Sequence, residues 1–233
     1  MNLVITGTST EVGKTITTAA LAAAVMAGGL DVAVCKPAQT GVGPDDPGDI
    51  DEVVRLAGVR TTAEVARFRD PLAPERAARN EGAPPVQLSD IVAAVDGLAG
   101  SDLVLVEGAG GVLVRLAADL TILDVAAAVG ARVLVVAAPG LGSLNHTELT
   151  VRAITGAGLD CAGLVIGSWP VEPDLAERSN LEDLPQITGV PIVGKVPAGA
   201  GTADRQAFVS QAVGWFDGDW LTAMCPPQTD RPR

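Results

Sequence analysis

The chain has 233 residues, 48% of them hydrophobic, and carries 16 basic against 28 acidic side chains, a formal net charge of −12. This composition excludes a mostly disordered chain. The acidic excess argues against general affinity for nucleic acid or anionic membrane, whose phosphates and headgroups repel it. Thirteen of the cations are Arg, and the lysines are Lys14, Lys36 and Lys195 alone, so a bound anion must be met by few placed cations and by backbone N–H groups.

The start, Met1-Asn2-Leu3-Val4, has no basic leader and runs directly into a strand-like segment, Leu3–Thr6, so no secretory signal is expected. An Ala-rich helix is expected from Lys14 to Ala27, stopped by Gly28-Gly29. The longest uncharged apolar run, Ala19 to Leu30, has 12 residues, too few to cross a bilayer of ~30 Å. Asp31–Lys36 reads as a second strand and residues 37–48, with three Pro and three Gly, as a loop. A helix follows from Asp49 to Gly58, and residues 59–87, interrupted by Pro71, Pro74, Pro84 and Pro85, read as irregular. Ser89 is the expected N-cap of a helix through Leu98. Strands are expected at Asp102–Val106, Val133–Ala137, Leu164–Ile166 and from Ile192, with a helix over Asn145–Ile154. Trp215 and Trp220 read as late-helix packing residues, and Pro226–Arg233 as a disordered tail. Cys35, Cys161 and Cys225 are odd in number with no C-x-x-C pair, which favours a reducing, cytoplasmic compartment. Continuous Val/Leu/Ile strands alternating with helices imply strands covered on both faces. The expected fold is one doubly wound α/β domain over residues 1–225, with a mainly parallel sheet.

The strongest motif is Gly7-Thr8-Ser9-Thr10-Glu11-Val12-Gly13-Lys14-Thr15, between the first strand and the first helix. It matches a phosphate-binding P-loop, G-x-x-x-x-G-K-[ST], except that five residues rather than four separate the glycines. Gly13 lets backbone approach phosphate, successive N–H groups with the helix N-terminus form an anion nest, Lys14 reaches the β- and γ-phosphates, and the Thr15 hydroxyl serves Mg²⁺. Such an ion takes one or two carboxylates besides phosphate and water. Glu107 follows the Asp102–Val106 strand, and Asp49 follows the loop after the second strand. Both would lie at carboxyl ends of strands, where open α/β sheets bind ligands. Spacing alone leaves Asp49 in competition with a helix-capping role and with Asp45, Asp46 and Asp51. Gly108-Ala109-Gly110-Gly111 lacks the third glycine of a dinucleotide fingerprint and follows its acidic residue rather than preceding it. Lys36 ends an apolar strand before Pro37-Ala38-Gln39-Thr40-Gly41, pointing into the same crevice.

Four segments together resemble the dethiobiotin synthetases: Thr6–Thr15, Lys36–Gly41, Val106–Gly111 and Leu141-Gly142-Ser143-Leu144-Asn145-His146. The resemblance implies an ATP- and Mg²⁺-dependent ring closure of 7,8-diaminopelargonic acid with CO₂, through a carbamate and a carbamic–phosphoric anhydride. It further implies that Glu11, Val12, Gly13, Lys14, Thr15 and Ile16, with Gly108, Ala109 and Gly110, bind nucleotide, and that Thr15, Asp49 and Glu107 ligate Mg²⁺. Lys36 would hold the carbamate, with Thr10, Glu11, Thr40 and Pro71 around the diamine. Leu141, Gly142, Leu144 and Asn145 would receive the substrate carboxylate of the other subunit, making a homodimer. The segment departs from the family at Gly167-Ser168, where members often present an adenine-reading Asn. Base contacts would then fall to backbone at Gly167, Ser168, Pro197, Ala198 and Gly199, with other triphosphates such as CTP as donors. The competing class is a regulatory ATPase switch of the partition or septum-site type, which usually carries an early second P-loop Lys. Residues 8–10 here are Thr-Ser-Thr. Amidoligases that add a glutaminase domain need a longer chain.

Overall fold

The structure, a computed structural model, describes residues 1–224; the tail expected at residues 226–233 lies outside them. In chain order its elements are β1 (Asn2–Gly7), α1 (Lys14–Ala27), β2 (Val32–Lys36), α2 (Asp49–Ala57), β3 (Thr61–Glu64), α3 (Pro74–Glu81), α4 (Leu88–Gly97) and β4 (Leu103–Gly111). There follow α5 (Ile122–Ala128), β5 (Arg132–Ala137), α6 (Ser143–Gly156), β6 (Cys161–Trp169), α7 (Leu175–Thr188), β7 (Ile192–Pro197), α8 (Arg205–Ala212) and α9 (Gly218–Met224).

The seven strands form one sheet in the order β3-β2-β4-β1-β5-β6-β7, and every neighbouring pair is parallel. The expected mainly parallel sheet is thus wholly parallel among the described residues. From β1 the chain winds toward β3, returns to place β4 beside β1, then extends the other edge through β5, β6 and β7. The crevice created by that reversal opens at the carboxyl ends of β1, β2 and β4.

Strand side chains alternate between two cores. Val4, Val104, Val106 and Val135 face Ile91, Val125, Ile154 and Leu184 on one side. Leu3, Ile5, Leu105 and Val136 face Leu21, Val53, Leu56 and Phe208 on the other. Because both faces are covered, the strands read as unbroken apolar runs. In α1, Ala19–Ala24 are all buried, since the helix lies between the sheet and its neighbours α2 and α8. Small side chains suit such a position.

Several expectations need correction. Residues 59–87 are not irregular: they contain β3, whose Thr61–Glu64 pair with Ala33–Lys36, and α3, which starts on Pro74. Proline at a first helical position has no N–H to lose. Ser89 is not the N-cap of α4, which begins at Leu88 after Gln87. β4 does not stop at Val106 but continues through Gly111, and β6 runs past Ile166 to Trp169. Helix α6 starts at Ser143 rather than Asn145. Helices α5 and α7 were not anticipated, although Thr121 with Asp124 and Asp174 with Glu177 form capping boxes legible in sequence. Trp220 in α9 packs as expected, stacked 6.3 Å from Phe216 and donating from Nε1 to Ala162 O at 2.8 Å. Trp215 packs edge-on to Phe208 at 5.1 Å, but from a 3₁₀ turn.

Candidate active site

Residues 8–13 carry the chain from β1 into α1, and the extra residue of the loop is absorbed by two left-handed backbones. Glu11 has φ 57° and Gly13 φ 92°. For Glu11 that conformation costs about 1 kcal/mol. At Gly13 it is free, and no side chain would fit in any case: a Cβ would lie 2.4 Å from Gly167 O. Reciprocally, a Cβ on Gly167 would lie 2.0 Å from Val12 O. The bend of the phosphate loop therefore rests on bare backbone at the end of β6. Lys14 Nζ folds over the loop and donates to Ser9 O at 3.0 Å. Burial, and then the nearby Lys36 ammonium, lower the Lys14 pKa from its ordinary value.

Sheet register builds the second half of the site. β2 pairs with β4 so that Val34 faces Leu105 and Cys35 faces Val106. One step further brings Lys36 alongside Glu107, and alternation turns both toward the α1 face. Lys36 Nζ donates to Glu107 Oε1 at 2.8 Å and to Gly108 O at 3.3 Å. From above, α1 presents Thr15 and Thr18, three residues apart and so on one helix face. Thr15 Oγ1 donates to Glu107 Oε1 at 3.0 Å and Thr18 Oγ1 to Oε2 at 2.6 Å.

The third charged group comes from α2. Asp49 is the first residue of that helix, with Gly48 rather than Asp49 in the capping position. Its Oδ2 lies 2.5 Å from Lys36 Nζ, whereas Asp45, Asp46 and Asp51 do not border the cleft. Gln39 sets the approach of the helix: its Oε1 accepts from Asp49 N at 2.8 Å. Burial would depress the Lys36 pKa, but Glu107 and Asp49 outweigh it and hold the ammonium above its ordinary value. Burial would likewise raise Asp49, and Lys36 outweighs it, leaving the carboxyl below its ordinary value.

These groups border a cleft of about 540 Å³. It brings together Thr10, Glu11, Gly13, Lys14, Thr15, Ile16, Lys36, Thr40, Asp49, Ala109 and Gly110 among the expected site residues. Val12 is buried behind the loop, Glu107 beneath the floor, and Gly108 supplies the carbonyl that meets Lys36. Pro71 does not border the cleft; its Cβ lies 3.3 Å from where a Cβ on Gly41, next to Thr40, would stand. Ser168 is exposed, while Pro197, Ala198 and Gly199 border a separate cavity of about 230 Å³. Leu141, Gly142, Leu144 and Asn145 lie at the start of α6, outside the cleft. Gly142 precedes that helix, which places Asn145 within its first turn. Gln39, Ala38, Val42 and Thr18 escaped the sequence reading. The i,i+3 pair Thr15 and Thr18 was the available signal for the last.

No group of three or more His, Cys, Asp or Glu among the described residues forms a self-standing metal cage. The donor set nevertheless fits a phosphate-borne Mg²⁺: one hydroxyl and two carboxylates, already gathered around a positive charge in Lys36, with the remaining positions left to phosphate and water. No helix among the described residues is long and apolar enough to cross a membrane.

Known proteins resemble the chain in fold and in sequence. Residues 1–205 match the family model described as an AAA domain. In overall shape the chain is similar to the septum site-determining protein MinD of Pyrococcus horikoshii OT3 (TM-score 0.56, 20% identity, 91% of this chain and 95% of that one). It is similar also to the MinC:MinD complex of Aquifex aeolicus (TM-score 0.58, 14% identity, 100% and 98%). At such identities the likeness is one of fold alone. In sequence it is 61% identical to the ATP-dependent dethiobiotin synthetase BioD of Rhodococcus jostii (94% of this chain, 96% of the relative). It is 58% identical to that of Streptomyces coelicolor (94% of each). With the phosphate loop, the Lys36 corner and these relatives in agreement, the chain belongs to the ATP-dependent dethiobiotin synthetase family.

Proposed function

We propose that the Lys36 corner is where a substrate carbamate meets the γ-phosphate of the nucleotide. The observation that carries this reading is a lysine ammonium, 3% exposed, pinned by carboxylates at 2.8 and 2.5 Å at the inner end of a phosphate-loop cleft. The diamine lies along Thr10, Glu11 and Thr40, with Pro71 nearby, and takes up CO₂ at one amine. The carbamate oxygen attacks the γ-phosphorus, ADP leaves, and a carbamic–phosphoric anhydride remains. The second amine then attacks the carbonyl carbon, inorganic phosphate departs, and the cyclic urea of dethiobiotin is closed.

An anion attacks an anion here, so positioning and charge neutralisation carry the catalysis. Lys36 holds the carbamate and the charge developing on it, while Lys14 and the amides of residues 12–16 hold the phosphates. The two lysines against Asp49 and Glu107 leave this corner formally neutral (2 − 2 = 0). Thr15, Asp49 and Glu107 would hold a nucleotide-borne Mg²⁺, which would supply neutralisation of phosphate charge.

Two further parts rest on surfaces outside the cleft. Leu141 is 96% exposed, and Leu113 and Leu149 stand at 61% and 59% beside a mainly apolar hollow that also touches His146. This supports a homodimer in which Leu141, Gly142, Leu144 and Asn145 of one copy receive the substrate carboxylate in the other. At the base end, Gly167 has no side chain to offer, so the base is read by backbone at Gly167, Ser168 and Pro197–Gly199. ATP then serves together with other triphosphates such as CTP. The setting is a single-domain cytoplasmic enzyme.

The experiment is phosphate release from ATP on adding 7,8-diaminopelargonic acid and bicarbonate. Stimulation by the diamine is expected, and its absence would defeat the reading. A nucleotide competition series with strong ATP preference would overturn the base assignment alone.

A further inference from the structure

The two oxygens of Glu107 are held unequally. Oε1 is shared by Thr15 Oγ1 at 3.0 Å and Lys36 Nζ at 2.8 Å. Oε2 accepts from Thr18 Oγ1 at 2.6 Å. Thr18 is wholly buried, does not border the cleft, and is out of reach of any substrate. Its Oγ1 also lies 3.0 Å from Lys14 O, the carbonyl one turn back that a helical Thr hydroxyl commonly serves. A hydroxyl has a single proton. The shorter contact to an ionised acceptor takes it, and 2.6 Å is the length of a charge-assisted O–H···O⁻ bond.

We propose that Thr18 is a positioning residue for the ring closure: it anchors Oε2 and so keeps Oε1 of Glu107 turned toward Thr15 and Lys36. The terminal torsion of a glutamate is broad and roughly two-fold, so the carboxylate has no intrinsic preference for the orientation that the site uses. Thr18 supplies that preference from behind. Without its hydroxyl, Oε2 of a group 1% exposed loses its partner in a place water does not reach. The carboxylate is then free to turn about that torsion, carrying Oε1 out of line with Thr15 and Lys36. This inference rests on the reading of Glu107 as a ligand of nucleotide-borne Mg²⁺. It goes further in making the effective ligand the Thr18–Glu107 pair.

The test uses the full chain and calorimetric binding of ADP across a Mg²⁺ series, with no diamine present, so that turnover is not the readout. Thr18→Val keeps the shape and removes the hydroxyl. Thr18→Ala does so with less crowding, and Thr18→Ser restores the hydroxyl. Unfolding curves normalise each variant to its folded fraction. Expected is a loss of about tenfold or more in Mg²⁺ dependence for Val and Ala, the scale of a lost outer partner of a metal ligand. ADP binding without metal stays unchanged, and Ser returns to within about twofold of the parent. Wild-type Mg²⁺ dependence in Val and Ala, together with a loss in Glu107→Gln, would overturn the role of Thr18 and leave Glu107 as ligand. Wild-type Mg²⁺ dependence in Glu107→Gln would overturn both.

Discussion

Replacing Lys36 by Gln tests whether the charge at the inner end of the cleft holds the fold together as well as the chemistry. In the native chain Lys36 Nζ satisfies Glu107, 1% exposed, and Asp49, whose side chain is 33% exposed. Removing the cation leaves one fully buried carboxylate facing only Thr15 and Thr18, and a second that water partly screens. Breaking a buried pair on one side costs about 3–5 kcal/mol, and the exposure of Asp49 argues for the lower end, about 3 kcal/mol. At ~2–4 °C per kcal/mol for a chain of this size, the expected drop in Tm at pH 7.5 is about 6–12 °C. The sign with pH follows from the shifts. Asp49 lies below its ordinary value in the folded state, so its contribution is present above the ordinary carboxylate range and is lost as pH falls through the depressed value. Lys36 lies above its ordinary value, so its contribution is present below the ordinary lysine range and is lost only as pH rises through the raised one. The gap between parent and Lys36→Gln should therefore be widest at neutral pH and shrink as pH falls below the ordinary carboxylate range, measured by circular dichroism melts. Lys36→Gln combined with Glu107→Gln should recover at least half the loss, because both partners are then neutral. A Tm within about 2 °C of the parent at pH 7.5, or strictly additive losses in the double variant, would refute the buried-pair reasoning.

Catalysis should divide along the same lines: Lys36→Gln loses turnover by at least about a hundredfold with triphosphate affinity nearly kept, whereas Lys14→Gln loses both, as steady-state kinetics and calorimetry will distinguish. Gly167→Ala places a Cβ 2.0 Å from Val12 O, so the phosphate loop must shift, and nucleotide affinity should fall at least about tenfold with the sheet's far-ultraviolet spectrum unchanged. Arg55 donates to Gly201 O and to Ala203 O. Arg55→Ala should therefore raise the KM for triphosphate several-fold and leave that for the diamine unaltered. Burial pushes the Cys35 thiol up to about 12, so a thiol reagent at pH 8 should modify it only after denaturation, which mass spectrometry of the labelled peptide reports.

How much of this was legible beforehand differs between the two halves of the site. The phosphate loop is local chemistry: Gly13, Lys14 and Thr15 are adjacent in the chain, and their spacing alone prescribes an anion nest at a helix N-terminus. Strands β1, β2, β4 and β5 were equally plain, since a sheet covered on both faces demands uninterrupted apolar runs. Helix α3 and strand β3 were hidden because their residues are mostly polar and few, and packing against an existing sheet decides their conformation, whereas α5 and α7 are marked in the sequence by their capping boxes. Lys36 could be singled out from its rarity and its strand-end position, but not its partners. Those follow from β2 and β4 lying side by side in a register that brings residue 36 alongside residue 107, and from α2 delivering Asp49 from a third direction. The same register turns Glu107 under α1 and gives Thr18 its role. The pairing of β1 with β5 and of β5 with β6 in turn brings Gly167 against the P-loop from 154 positions further along (167 − 13). Sequence by itself determined the loop, every strand but β3 and the family; tertiary structure alone decided which charges neutralise one another, because parallel pairing joins residues that no local pattern relates.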